Sequence, residues 1–124
     1  MNTPTKKSLE LLRKEAYTVD IVEHWNAFAH IRQDLFGIID LVAIRLDEPG
    51  VLGIQTTSMT NVSVRLKKAS ENAALFVWLK AGNRFEVHGW KLAGKKGERK
   101  FWQVVRQPLI KKEFLPLWTK TSEA

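Results

Sequence analysis

Apolar positions in residues 5–16 recur as Leu9, Leu12 and Ala16, with Lys6, Lys7, Glu10 and Lys14 elsewhere on the wheel. That spacing predicts a helix, with Thr3 or Thr5 placed to cap its start and Pro4 suited to its first turn. In residues 17–23 the period changes to two: Tyr17, Val19 and Ile21 alternate with Thr18 and Asp20, as in a strand. Residues 24–36, HWNAFAHIRQDLF, keep neither period and read as a long ordered loop with room for a helical turn. Two apolar runs follow, GIIDLVAI and VLGIQTT, joined by LDEPG, and predict a β-hairpin over 37–57. A second helix is expected over 59–73, with Val62, Leu66, Ala69 and Ala73 as its packing stripe. Asn61, Arg65, Lys68 and Asn72 form a parallel polar stripe on its flank.

The run ALFVWLK at 74–80 reads as a buried strand, Ala81-Gly82-Asn83 as a turn, and 84–92 as a further strand. A basic loop, AGKKGER, leads to a last strand at 100–107, which Pro108 ends. The tail to Ala124 reads as a short helix or irregular chain. The expected order is α-β-β-β-α-β-β-β in one domain spanning 1–124, a mixed α/β (α+β) class with helices flanking a central sheet.

One position breaks the pattern. Asp40 lies inside a run of Ile, Leu, Val and Ala. A carboxylate there is costly unless it is paired or holds a metal. The plainer reading is an Asp at a strand end capping a turn.

Composition narrows the partners. The chain has 124 residues and a formal charge of +7, which points to a polyanion. It has no cysteine, so disulfides and thiolate metal sites are excluded. No apolar run approaches a membrane span, and the first residues lack a signal-peptide core. A cytoplasmic protein with no membrane partner is therefore expected. Arg32, Arg65, Lys67, Lys68 and the loop residues Lys95, Lys96 and Arg99 are the candidate nucleic-acid contacts. His24, His30 and His88 lack metal-ligand spacing and are assigned structural or surface roles. No phosphate-cradling glycine motif and no nucleophile elbow occurs.

The hairpin sets Asp40 and Gln55 at matching places on adjacent strands, with Thr57 two residues beyond Gln55 on the same face. An acid on one strand and oxygen donors on the next can hold a hard divalent cation. These residues and the element order resemble the PD-(D/E)XK nuclease superfamily, which includes archaeal-type Holliday junction resolvases and many restriction endonucleases. The resemblance covers roughly residues 5–80. It implies a restriction-endonuclease-like αβββαβ core, Mg²⁺ or Mn²⁺ as cofactor, and hydrolysis of double-stranded or branched DNA. It also implies a homodimer, as resolvases of this kind are. Asp40 takes the place of the family's metal-binding Asp, Gln55 that of the second acid, and Thr57 that of the Lys. Glu10 is the match for the acid of the first helix.

Two departures follow from the residues themselves. Gln55 offers a carbonyl oxygen but no charge, and Thr57 cannot replace an ammonium ion. Asp34 is placed to bring a second carboxylate, and Lys68 or Arg65 to bring the missing cation from the second helix. The alternatives are a catalytically inactive nucleic-acid-binding or assembly module on the same fold, and an RNA-binding or ribosome-associated protein.

Overall fold

The computed structural model of the chain describes residues 3–110. Helix α1 (Pro4–Lys14) starts where the sequence places its cap: Thr3 accepts a hydrogen bond from the Lys6 N–H, and Pro4 occupies the first turn. Strand β1 (Thr18–Ile21) follows, then β2 (His24–Asn26) and β3 (Ile31–Gln33), then β4 (Leu41–Arg45) and the long β5 (Glu48–Ser58). A 3₁₀ turn, Met59–Asn61, leads into α2 (Val62–Ser70) and α3 (Ala73–Lys80). Strands β6 (Arg84–Ala93) and β7 (Phe101–Pro108) close the described chain.

The molecule is α+β. Five strands form a mixed sheet in the order β1-β4-β5-β6-β7, while β2 and β3 pair apart from it. The pairs β1–β4, β4–β5 and β6–β7 are antiparallel. The pair β5–β6 is parallel, because the crossover through α2 and α3 returns the chain to the same end of the sheet.

Two cores flank the sheet, and the buried apolar side chains of β4 and β5 belong to the first. Leu41, Ala43, Leu52 and Ile54 pack with Leu12, Tyr17 and Val19 on the α1 side. Ile38, Ile39, Val62, Ala69, Leu75, Phe76, Leu79, Phe85 and Val87 form the core under α2 and α3. A buried polar contact pins α1 to β6: the Trp90 Nε1–H donates to Ser8 Oγ at 2.9 Å, and Ser8 Oγ lies 2.8 Å from His88 Nδ1. Indole is a donor only, which leaves the serine hydroxyl free to donate to Nδ1. Ser8 and His88 are both fully buried, so this is packing machinery.

Three expectations are corrected. Residues 74–80 are not a strand but most of α3. The Asn72 side chain caps that helix by accepting the Leu75 N–H at 2.9 Å. Burial falls on Leu75, Phe76 and Leu79 and leaves Val77 63 % exposed, which is helical spacing. A short run of nearly uniform apolarity does not tell the two states apart. Residues 24–36 are not a loop but carry the β2–β3 hairpin, whose strands are too short to show a period. The expected second helix also divides: it ends at Ser70, and Ala73 begins α3. Apart from Leu109 and Ile110, the expected tail lies outside the described residues.

Gly89 is the contact that seats α2 on the sheet. A Cβ there would meet the Met59 Cα at 2.9 Å and collide with the Val62 side chain. Gly89→Ala is therefore expected to destabilise the protein by about 1–3 kcal/mol, as overpacking against backbone does. A thermal melt against wild type measures it, and an unchanged midpoint would mean that α2 is not held this closely.

Candidate functional site

Asp40 sits one residue before β4, beyond the paired Leu41 and Ile54. Its own N–H donates to the Ile54 carbonyl at 2.8 Å, which continues the ladder by one step. Gln55 thus lies on the neighbouring strand, as the hairpin pattern implies. Asp40 is only 5 % exposed. Its Oδ2 accepts the Thr56 N–H at 2.8 Å and the Thr56 hydroxyl at 3.3 Å.

Backbone geometry brings two more acids to it. The Asp40 carbonyl accepts the N–H groups of both Val22 (2.9 Å) and Glu23 (3.2 Å), which turns the end of β1 towards it. On the other side, Leu35 and Ile39 exchange N–H···O bonds of 2.9 Å across a tight reversal. Phe36 (φ 56°) and Gly37 (φ 75°) supply the left-handed backbone that this reversal needs. Asp34 is folded back beside Asp40 as a result. Glu23, Asp34 and Asp40 each offer an oxygen, and these oxygens lie within 4.8 Å of one another.

The electrostatics follow. Burial pushes the Asp40 carboxyl up to about 8 from its ordinary 3.8. The Thr56 N–H opposes this, while the charge of Asp34 and hydrogen bonds shared with Glu23 and Asp34 add to it. Without a cation, the cluster at neutral pH holds a proton that an exposed Asp would have lost.

The acids line a cleft of about 280 Å³, together with Pro4, Thr5, Arg32, Gln55, Thr56 and Arg65. The first turn of α1 faces it, and Thr5 Oγ1 meets Thr56 Oγ1 at 2.8 Å. Gln55 is buried, and its Oε1 has no hydrogen-bond partner among the described residues. A buried acceptor left unpaired costs free energy, and a ligand that accepts its lone pair removes that cost. Three carboxylates and an amide oxygen are a hard-oxygen donor set, suited to Mg²⁺ or Mn²⁺. A larger cavity of about 590 Å³ lies elsewhere, lined mainly by Leu52, Leu79, Phe85, Pro108, Leu109 and Ile110. It holds none of these acids.

The sequence candidates divide between cleft and surface. Asp40, Gln55, Asp34, Arg32 and Arg65 come together in the cleft. Glu10 does not: it is exposed on α1 and outside both the cleft lining and the acidic cluster. The acid that arrives instead is Glu23, which no motif in the sequence marks. Lys67 and Lys68 are exposed on α2, away from the cleft lining, so Arg65 is the α2 cation at the site. Arg32 is tied to Glu23 at 2.6 Å. Thr57 is buried beside Gln55 but does not line the cleft. Lys95, Lys96 and Arg99 are exposed in the loop between β6 and β7, where the Glu98 N–H closes a turn onto the Lys95 carbonyl at 3.0 Å.

Comparison of the chain with protein-family models, with curated proteins and with solved structures finds no match. Among the described residues, no helix is long and apolar enough to cross a membrane.

Proposed function

We propose that the protein is a divalent-metal-dependent DNA endonuclease with a restriction-endonuclease-like core, acting on double-stranded or branched DNA. The observation that carries this reading is that the Glu23–Asp34–Asp40 cluster lines one cleft together with Gln55, whose buried Oε1 has no hydrogen-bond partner among the described residues. Glu23, Asp34, Asp40 and Gln55 would hold the cation. When bound, a divalent cation supplies Lewis-acid polarisation of a phosphate oxygen and acidifies water.

The chain's own groups do the rest. The Thr56 N–H fixes the orientation of the Asp40 carboxylate. The first turn of α1 lines the cleft and brings the positive end of the helix dipole to it, which favours an anionic phosphate. Arg65 reaches the same cleft from α2 and is the cation placed to stabilise charge on the attacked phosphate. Arg32 holds Glu23 in place through their ion pair.

The second reading is a catalytically inactive nucleic-acid-binding or assembly module on the same fold. Thr57 favours it, because a hydroxyl stands where the family places its lysine, and among the described residues no lysine lines the cleft. Cleavage of duplex, branched and single-stranded DNA with Mg²⁺ or Mn²⁺ separates the two. Wild-type cleavage that Asp40→Asn abolishes supports the nuclease, and binding without cleavage supports the module.

Both readings make the same demand on salt. Displacing counterions from about four phosphates should weaken DNA binding by roughly 100-fold between 50 and 200 mM salt. Fluorescence anisotropy with labelled DNA measures this, and a flat response would remove nucleic acid as the partner.

A further inference from the structure

The β2–β3 hairpin projects from the rim of the cleft and carries aromatic side chains that the fold leaves exposed. Trp25 is 56 % exposed and Phe28 fully exposed at the tip. A two-stranded ribbon is marginal on its own, and this one is built from within. Asn26 Oδ1 accepts the N–H groups of Phe28 (3.0 Å) and Ala29 (3.1 Å), and Asn26 Nδ2 donates to Gln33 Oε1 at 3.0 Å. His30, held at φ 54°, sets its ring edge-on to Trp25 with centroids 6.2 Å apart. At the base, Arg32 bonds Glu23.

Register gives this surface its direction. Trp25 is the pairing partner of Arg32, so their side chains share one face of the hairpin. Arg32 lines the acidic cleft. Trp25 therefore lies on the hairpin face that adjoins the cleft, beside the place where a phosphate would sit. An exposed indole next to a phosphate site, with Arg32 between them and Phe28 beyond, matches how proteins engage unstacked nucleotides: cations track the backbone while aromatic faces receive the bases. A continuous duplex keeps its bases stacked inside and offers no such face.

We propose that Trp25 and Phe28 stack on unpaired DNA bases flanking the phosphate held in the cleft, which makes the substrate a single-stranded or branched DNA rather than continuous duplex. This rests on the nuclease reading above and names the substrate class for that site.

The test uses the full chain with Ca²⁺, so that binding is read without cleavage. The probes are a fluorescein-labelled single-stranded DNA, a splayed fork of the same sequence, its blunt duplex, and the matching single-stranded RNA. Wild type is expected to bind the single strand and the fork more tightly than the duplex. Trp25→Ala and Phe28→Ala should each weaken the single strand and fork by about tenfold. Duplex binding should hold within about twofold, and Trp25→Phe should recover most of the loss. Phe28→Ala should melt as wild type, since its side chain is fully exposed, and Trp25→Phe, which keeps a ring beside His30, controls for the fold at position 25.

Several results overturn the proposal. Binding of single strand and fork that is indifferent to both substitutions removes it and leaves the nuclease reading standing. Preference for the blunt duplex, or for the RNA, does the same. Self-association of the protein alone that Phe28→Ala dissolves would assign the hairpin to a second copy of the chain. If wild type binds none of the probes, the proposal falls together with the reading beneath it.

Discussion

In the presence of a chelator, the protein should become less stable as pH rises from about 4 to about 8, and Asp40→Asn should remove most of that slope. The folded state holds Asp40 at about 8, against an ordinary 3.8, chiefly through burial. Across that window the folded chain keeps a proton that the unfolded chain has released. The protonated carboxyl contributes fully below the ordinary value, and its contribution is lost as pH climbs through the folded one. The slope from this one group is up to about 1.4 kcal/mol per pH unit. Because Asp40 is 5 % exposed, solvent does little to soften it. An amide at position 40 keeps an oxygen for the Thr56 N–H and carries no charge. The variant should therefore melt above wild type at pH 8 and close to it at pH 4, with a gap of roughly 4 °C for each kcal/mol. Equal melting points at both pH values would show that the carboxyl is not held in its neutral form. Mn²⁺ at about 100 times its dissociation constant should return about 2.7 kcal/mol to wild type at pH 8 and far less to the variant.

The second large effect is on cleavage. Asp40→Asn should reduce metal-dependent hydrolysis by about 100-fold or more while leaving DNA binding intact or tighter, because it removes a cation ligand and a charge that repels phosphate. Arg65→Ala should lower the rate with little change in affinity, the signature of a group used in the transition state. Lys68→Ala, on an exposed position away from the cleft, should leave the rate near wild type. Gln55→Glu adds charge to the donor set and should tighten metal binding. Single-turnover assays with metal titrations read all four variants. A wild type that cuts no form of DNA, joined by an inactive Gln55→Glu/Thr57→Lys variant, would leave the binding module as the better reading.

Much of the framework was legible in the residues. The helix at the start, the strand after it, a hairpin over the two apolar runs and the two last strands follow from period, but the hairpin turns at Leu46 and Asp47, and Pro49 and Gly50, expected in the turn, lie inside β5. Asp40 stood out because one acid in an apolar run needs a reason, and the hairpin placed Gln55 on the adjacent strand. What stayed hidden was set by contacts rather than by pattern. Glu23 reaches the cluster because a single carbonyl, that of Asp40, accepts two N–H groups from the end of β1. No spacing in the sequence encodes that. Glu10 was favoured by analogy with a helical acid, but α1 presents its first turn to the cleft and leaves Glu10 on the outside. The run at 74–80 reads as a strand because its apolarity hides the helical stripe, although Asn72, three residues before Leu75, carries the capping signal.

The proposed nuclease stands on a divalent cation held by Glu23, Asp34, Asp40 and Gln55 together. Its most direct test is the anomalous scattering of crystals grown with Mn²⁺ at pH 8. A peak is expected in the cleft, bonded to oxygens of Asp40 and at least one of Glu23 and Asp34, with Gln55 Oε1 turned towards it. A cleft with no peak, in which the three carboxyls are hydrogen-bonded only to one another and to Arg32 or Thr56, would contradict it.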